Sequence, residues 1–273
     1  MSIAITGATG QLGRLILKEL VHSQPAEGII ACVRDLEQAS VFEEQGIQVR
    51  FCDYDQPESL GRAFAGVSKL LLISSSNSDD AVRLRQHKQV IDAANKASVA
   101  QLLYTSFAFI RDNADIPSNV HAATEHAIQA TGIPYTFLRN ALYTDFVGVL
   151  GLNEAVAAGE LRYLPGDWTF NSVTRQDLAG AAAKVLIRQG DEHVNNIYEL
   201  AAPQGWTFPD LAAALQTLTG KLISLRPDPQ IQNWIYGFLR KIDTASTSND
   251  LIKLTGRPII PLAEAIKPFI TLK

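Results

Sequence analysis

The chain opens on Ile3-Ala4-Ile5, followed by Thr6-Gly7-Ala8-Thr9-Gly10-Gln11-Leu12-Gly13 and then Arg14-Leu15-Ile16-Leu17-Lys18-Glu19-Leu20-Val21. A short apolar run, three glycines at G-x-x-G-x-x-G spacing and apolar residues three and four apart predict a strand, a tight turn and a helix. The glycines have steric roles. One permits the tight turn, one lets backbone approach a pyrophosphate, and one lets the helix pack close to its strand. The helix start behind them offers free N–H groups and the positive end of a dipole. Thr6, Gly7, Thr9, Gly10, Gln11, Leu12 and Gly13 are therefore the candidate residues of a dinucleotide-binding turn. The plain alternative is a glycine-rich turn with no ligand.

Further along, apolar runs of strand length alternate with helical spacing. Strands are expected at 28–33, 48–53, 69–73, 101–105, 134–140 and 196–200, with helices at 57–65, 82–97, around 119–126 and at 178–188. Such alternation predicts an α/β fold, a doubly wound parallel sheet of Rossmann type, because βαβ crossovers cover both sheet faces. Ligands of these sheets bind beyond the carboxyl ends of the strands. Arg34 ends the second strand about twenty residues past the glycines, where an arginine suits the 2′-phosphate of NADP and an acid would suit the ribose of NAD. Asp35 follows at once and either faces the ribose or caps the next helix. Asp53 either accepts from an adenine amino group or serves its own loop. Ser74 and Ser75 suit ribose and phosphate contacts, or simply form a solvated loop. Thr105 and Ser106 stand at the same sheet edge.

The last third has another rhythm. A helix is expected over 145–158, a hairpin arm over 159–166, and short helices at 209–218, 230–240 and 263–269. We read 1–153 with 172–201 as the dinucleotide-binding domain, and 154–171 with 202–273 as a smaller, mainly helical lobe covering the substrate. A loop of about ten residues is expected before the 119–126 helix.

With 273 residues, 47% of them hydrophobic, the chain has ample material for a large core. A net charge of −4 and the lack of any Lys/Arg run argue against nucleic-acid or anionic-membrane binding. The two cysteines, Cys32 and Cys52, have no metal-ligand spacing and read as buried reduced thiols, so no metal is expected. No stretch has the length of a membrane span and no leader pattern opens the chain, so a cytoplasmic location is expected. No residue decides the oligomeric state, for which a homodimer is one open arrangement.

The residues also resemble a known family. The Thr6–Gly13 turn has the spacing of short-chain and extended dehydrogenase-like folds. Together with Val33-Arg34, Tyr104-Thr105-Ser106, His121-x-x-Thr124-Glu125, Tyr135-Thr136-x-Leu138-Arg139-Asn140-x-x-Tyr143, Arg175-x-Asp177 and Thr255-Gly256-Arg257-Pro258, it resembles the NmrA-like branch of atypical short-chain dehydrogenases. Within that branch the pattern is most similar to flavin-independent bacterial NADPH:quinone oxidoreductases. The resemblance spans nearly the whole chain. It implies NADPH across Gly7–Gly13 and Arg34, the nicotinamide near Thr105 and Asn140, no flavin, and a quinone under the C-terminal lobe. The branch also contains redox-sensing regulators that bind the cofactor without turnover.

Dehydrogenases of the wider group carry Tyr-x-x-x-Lys on the helix after strand five, and this chain has His121-Ala122-Ala123-Thr124-Glu125 there. A glutamate raises a neighbouring phenol's pKa where the lysine lowers it, so alcohol–ketone interconversion is disfavoured. His121 is a possible acid near neutral pH, and Glu125, four residues on, either pairs with it or contacts the cofactor. Hydride addition to a quinone or similar conjugated carbonyl needs no strong acid, because the product is a phenolate with a conjugate-acid pKa near the roughly 10 of tyrosine. Asn140, His121 and Tyr143 are the candidate catalytic residues. Phe107, Phe109, Trp168 and Phe170 are the candidate flat walls, unless they belong to the core.

Overall fold

The computed structural model describes residues 1–110 and 119–271. In chain order the first half runs β1 (Ile3–Ile5), α1 (Gln11–Ser23), β2 (Ile29–Val33), α2 (Ser40–Glu43), β3 (Gln48–Phe51), α3 (Pro57–Phe64), β4 (Lys69–Leu72), α4 (Asp80–Lys96), β5 (Gln101–Phe107), α5 (Asn119–Gln129) and β6 (Tyr135–Asn140). The second half runs β7 (Leu142–Tyr143), a 3-10 turn (Thr144–Val149), α6 (Leu152–Ala158), β8 (Glu160–Tyr163), β9 (Ser172–Val173), α7 (Arg175–Ile187), β10 (Asn196–Leu200), α8 (Phe208–Thr219), β11 (Ser224–Pro227), α9 (Trp234–Leu239), α10 (Asp250–Thr255) and α11 (Leu262–Ile266). Seven strands form one parallel sheet in the order β10-β6-β5-β4-β1-β2-β3. The fold is thus the Rossmann-like α/β sheet expected. Its order reverses between β1 and β4, which opens a crevice at their carboxyl ends.

Strand alternation divides the core. Ile5, Leu71, Leu103 and Leu138 point to the α1/α7 face with Ile16, Leu20, Leu178 and Val185. Leu70, Leu72, Leu102 and Phe137 point to the other face with Leu60, Val90 and Ile91. A separate core of Phe146, Phe170, Trp206, Phe208, Leu211, Tyr236 and Ile266 gathers the late segments. Among the described residues, no helix is long and apolar enough to cross a membrane.

Several expectations need correcting. The single helix expected over 145–158 is a 3-10 turn and then α6, separated by Gly151 in the left-handed region at φ 72°. The expected hairpin arm is β8, which pairs in parallel with β11, Leu161 opposite Leu225. Local pattern could not reveal that partner. α7 starts three residues before the expected 178, because Thr174 caps it by accepting from the Asp177 N–H at 3.1 Å. The helix expected over 230–240 is only Trp234–Leu239. The loop expected before 119 lies outside the described residues.

Candidate active site

Gly7, in the turn just after β1, takes the left-handed region at φ 60°, and the Gly10 N–H closes the turn on the Gly7 carbonyl at 3.0 Å. Gly10 caps α1 with no side-chain cap, and the first helical turn holds no acid, so its leading N–H groups are free for an anion. A Cβ on Gly13 would stand 2.3 Å from the Gly7 oxygen and 2.9 Å from the Ala8 Cα. Gly13 and the buried Leu12 therefore seat the helix against the turn, and exposed Gln11 begins it. These features fit a dinucleotide pyrophosphate. Thr6 departs from its expected role. It is fully buried and ties β1 to β4, its hydroxyl donating to the Leu71 carbonyl and accepting from the Ile73 N–H and the Tyr54 hydroxyl.

From this turn a cleft of about 350 Å³ extends over the β1, β2 and β4 ends, with Gly7, Thr9, Gly10, Arg34, Ser74 and Ser75 on its wall. The Asp35 carboxylate is turned into its own loop, accepting from the Glu37 N–H and the Gln38 amide, and leaves Arg34 as the charged group at the lip. Asp53 is a loop carboxylate, accepting from the Asp55 N–H and the Gln56 amide; its neighbours Cys52 and Tyr54 line the cleft instead. Of the two roles open to Asp53, the structure shows the local one, its carboxylate satisfying donors of its own loop. Cys32 and Cys52 are both free thiols on this wall, and the adjoining Cys32 together with burial pushes the Cys52 thiol up.

The Ser74–Ser75 loop is held from α4. The Ser75 N–H donates to His87 Nε2 at 2.9 Å, so that nitrogen is the acceptor and Nδ1–H donates to Thr124 Oγ1 at 2.9 Å. The Thr124 hydroxyl in turn donates to the Val120 carbonyl. Burial, then the Arg83 cation, pushes His87 down to about 4. Ser75 Oγ donates to Gln86 Oε1, and the Ser74 N–H to Thr105 Oγ1.

A second cavity, of about 480 Å³, adjoins the first and shares Ile73, Ser74 and Ser75 with it. Its inner wall carries Thr105, Ser106, Phe107, His121, Asn140 and Tyr143. The Asn140 amide reaches the Tyr143 hydroxyl at 3.4 Å, and burial holds the Tyr143 phenol above its ordinary pKa. The Arg175 guanidinium lies 4.3 Å over the Tyr143 ring and pairs with Asp145, so its charge is compensated where it fixes the ring. The Ser106 hydroxyl is buried with no hydrogen-bond partner among the described residues.

His121 stands on this wall but not as an acid near neutral pH. Arg83 Nη2 lies 3.2 Å from His121 Nε2, and an arginine only donates; Nε2 therefore accepts and Nδ1–H donates to the Tyr104 hydroxyl at 2.8 Å. Burial, followed by Arg83 and His87, pushes the imidazole down to about 3. Glu125 is also placed elsewhere. Its carboxylate takes Arg139 Nε at 2.9 Å and Nη2 at 2.6 Å, and the remaining Arg139 nitrogen bonds Glu199. A bidentate partner at that distance leaves it facing neither the cofactor cleft nor His121.

Of the four expected aromatic walls, only Phe107 lines the cavity. Phe109 turns left-handed at φ 56° and packs on the α1/α7-side core. Phe170 is fully buried in the core of the late segments, and Trp168 stacks on it at 6.0 Å, as rings with large apolar area do when a core is available. The outer wall comes from Phe146, Val149, Trp234 and Phe238. Sequence reading missed these, and also Arg83, Gln86 and His87. A usable signal was present in α4: Arg83, Gln86 and His87 sit at spacings of three and four on the face that Val90 and Ile91 bury. Arg175 and Asp177, read as one motif, have separate tasks, since Asp177 accepts from Arg257 and the Ile260 N–H and so ties α7 to the Thr255-Gly256-Arg257-Pro258 turn.

The NAD(P)H-binding family model matches residues 7–189. A triphenylmethane reductase from Citrobacter sp., solved with NADP(H), is 44% identical over 98% of this chain and 100% of that one, with a TM-score of 0.89. Quinone oxidoreductase 2 from Escherichia coli is 35% identical over 97% of each chain, and its structure with NADPH has a TM-score of 0.84. An NmrA-like family domain-containing oxidoreductase from Aspergillus flavus is 33% identical over 83% of this chain and 74% of that one. With the glycine turn, the sheet order and these relatives together, the chain belongs to the NAD(P)H-binding family, as an oxidoreductase of its NmrA-like, atypical short-chain branch.

Proposed function

We propose that this protein reduces quinones, or similar conjugated carbonyls, with NADPH by direct hydride transfer and without flavin. The observation that carries the reading is the open cavity of about 480 Å³ that meets the glycine-turn cleft at Ser74–Ser75, since a reductase needs room for an acceptor beside its cofactor. Gly7, Thr9, Gly10 and the α1 start would hold the pyrophosphate, Arg34 the 2′-phosphate, and Ser74, Ser75, Thr105 and Asn140 the nicotinamide half. Bound there, NADPH supplies a hydride.

The residues around the cavity suit acceptors that need no strong acid. His121 is neutral across the physiological range, and Tyr143 keeps its proton. Asn140 and Tyr143 donate hydrogen bonds toward charge that develops on an acceptor oxygen. Arg83 and His87 hold the loop between the two cavities in place. The phenolate of a reduced quinone can leave and take its proton from water. A second acceptor class has the same property. A delocalised triarylmethyl cation becomes neutral on taking a hydride and needs no proton, and the relative at 44% identity is named a triphenylmethane reductase.

The test is nicotinamide oxidation by the purified, flavin-free protein with NADPH or NADH and a benzoquinone, against a no-enzyme control. Saturable turnover, faster with NADPH, is expected. Tight NADPH binding with no turnover over quinones and a triarylmethane dye would overturn the reading in favour of a cofactor-sensing regulator.

A further inference from the structure

The inner and outer halves of the acceptor cavity differ in chemistry. Thr105, Asn140 and Tyr143 at the sheet's carboxyl edge are polar, as are the mutually paired Asp145 and Arg175, whereas Val149, Trp234 and Phe238 from the later segments are apolar, and Val149 and Trp234 are exposed at the rim. Trp234 is the anomaly. It is 70% exposed, although the other two tryptophans are packed in the lobe core with ring partners, and it has no ring partner among the described residues. Its helical neighbours Ile235, Tyr236 and Leu239 are buried, so the fold spends that helix on the lobe core and leaves the indole at the rim.

That position is set by specific bonds. The Asn233 side chain caps α9 by accepting from the Ile235 N–H at 3.1 Å, and its amide donates to the Val149 carbonyl at 2.6 Å. The same residue thus anchors the start of α9 to Val149, which lines the same cavity. Phe238 follows Trp234 by four residues, one turn along the same helix face, so the two rings border the cavity together.

We infer that Trp234 is a specificity-determining residue of the acceptor site, a stacking platform that selects acceptors with a second aromatic ring or comparable flat apolar extension beyond the reducible head. The polar head enters toward Asn140 and Tyr143, and the extension remains at the mouth against the indole. Fused-ring quinones and multi-aryl acceptors are thereby favoured over single-ring ones. The inference rests on the reductase reading for its head group, but the stacking surface is testable without turnover.

The experiment compares wild type, Trp234→Phe and Trp234→Ala with 1,4-benzoquinone and 9,10-phenanthrenequinone, melting temperature and NADPH affinity serving as folding controls. The ratio of kcat/KM for the fused-ring over the single-ring acceptor should fall about tenfold in Trp234→Ala, which is about 1.4 kcal/mol. The loss should lie mainly in KM, and Trp234→Phe should recover most of the ratio. In parallel, calorimetry with the NADP⁺-loaded protein, which cannot reduce the acceptor, should show phenanthrenequinone binding weakened to a similar degree. An unchanged ratio and unchanged binding would overturn the assignment of Trp234. Absent turnover with Trp234-dependent binding would overturn the quinone-reductase reading and leave the platform standing.

Discussion

Gly13→Ala adds one methyl to the tightest contact of the glycine turn. The new Cβ would lie 2.3 Å from the Gly7 oxygen, 2.9 Å from the Ala8 Cα and 3.0 Å from the Ala8 oxygen, all of them backbone atoms. Close carbon–oxygen contacts in proteins fall at about 3.3–3.6 Å, so α1 must lift from the turn by about 1 Å. Alanine's better helix propensity returns up to about 1 kcal/mol, whereas overpacking costs about 1–3 kcal/mol. A net destabilisation of about 1–2 kcal/mol is expected. The displaced N–H groups should weaken NADPH at least about tenfold. Gly61→Ala is the control, since Gly61 lies within α3 and a Cβ there meets nothing within 4 Å. It should stabilise by up to about 1 kcal/mol through propensity alone. Urea unfolding at unchanged m, with NADPH titration followed by fluorescence, measures both effects. If both alanines move the midpoint the same way, or Gly13→Ala binds NADPH like wild type, the steric argument fails.

Other substitutions probe the rest of the site. Arg34→Glu should weaken NADPH by about 10–100-fold and NADH far less, the range expected for charge-assisted bonds to a 2′-phosphate; equal losses in a binding titration would remove Arg34 from that role. Arg139→Ala leaves the buried Glu125 carboxylate unpaired and should lower the unfolding free energy by about 3 kcal/mol, and a loss under about 1 kcal/mol in urea would show that water replaces the arginine. His87 is held down to about 4 against an ordinary 6.5, so the unfolded chain binds its proton first as pH falls. Its contribution is complete above about 6.5 and declines toward pH 4 by up to about 1.4 kcal/mol per pH unit. In urea unfolding between pH 4 and 8, His87→Gln should therefore show a shallower acid slope than wild type, and identical slopes would refute the assignment. Quinone turnover should have no inflection between pH 5 and 8 arising from His121, and one that His121→Gln abolishes would restore it as the acid.

What could be read from the sequence alone followed from local physics. The short apolar runs at Ile29–Val33 and Leu70–Leu72 suit strands covered on both faces, and three glycines between a strand and a helix suit a phosphate-approaching turn as well as a plain one. Hence the parallel sheet, the cleft at its carboxyl edge and the position of Arg34 were all legible. Tertiary structure alone decided which polar groups face the cavity and in what state. His121 is neutral because burial, and then the Arg83 cation brought from another helix, disfavour its charged form, while Tyr104 fixes its tautomer; Glu125 pairs with Arg139, which meets it from the next strand. Phe170 and Trp168 enter a core assembled from segments that span more than a hundred residues, whereas Trp234, unremarkable in sequence, is left at the mouth. The periodicity of a segment encodes which of its faces is apolar, but a proton affinity or a pocket wall depends on the neighbours that distant segments bring, and those exist only once the chain has packed.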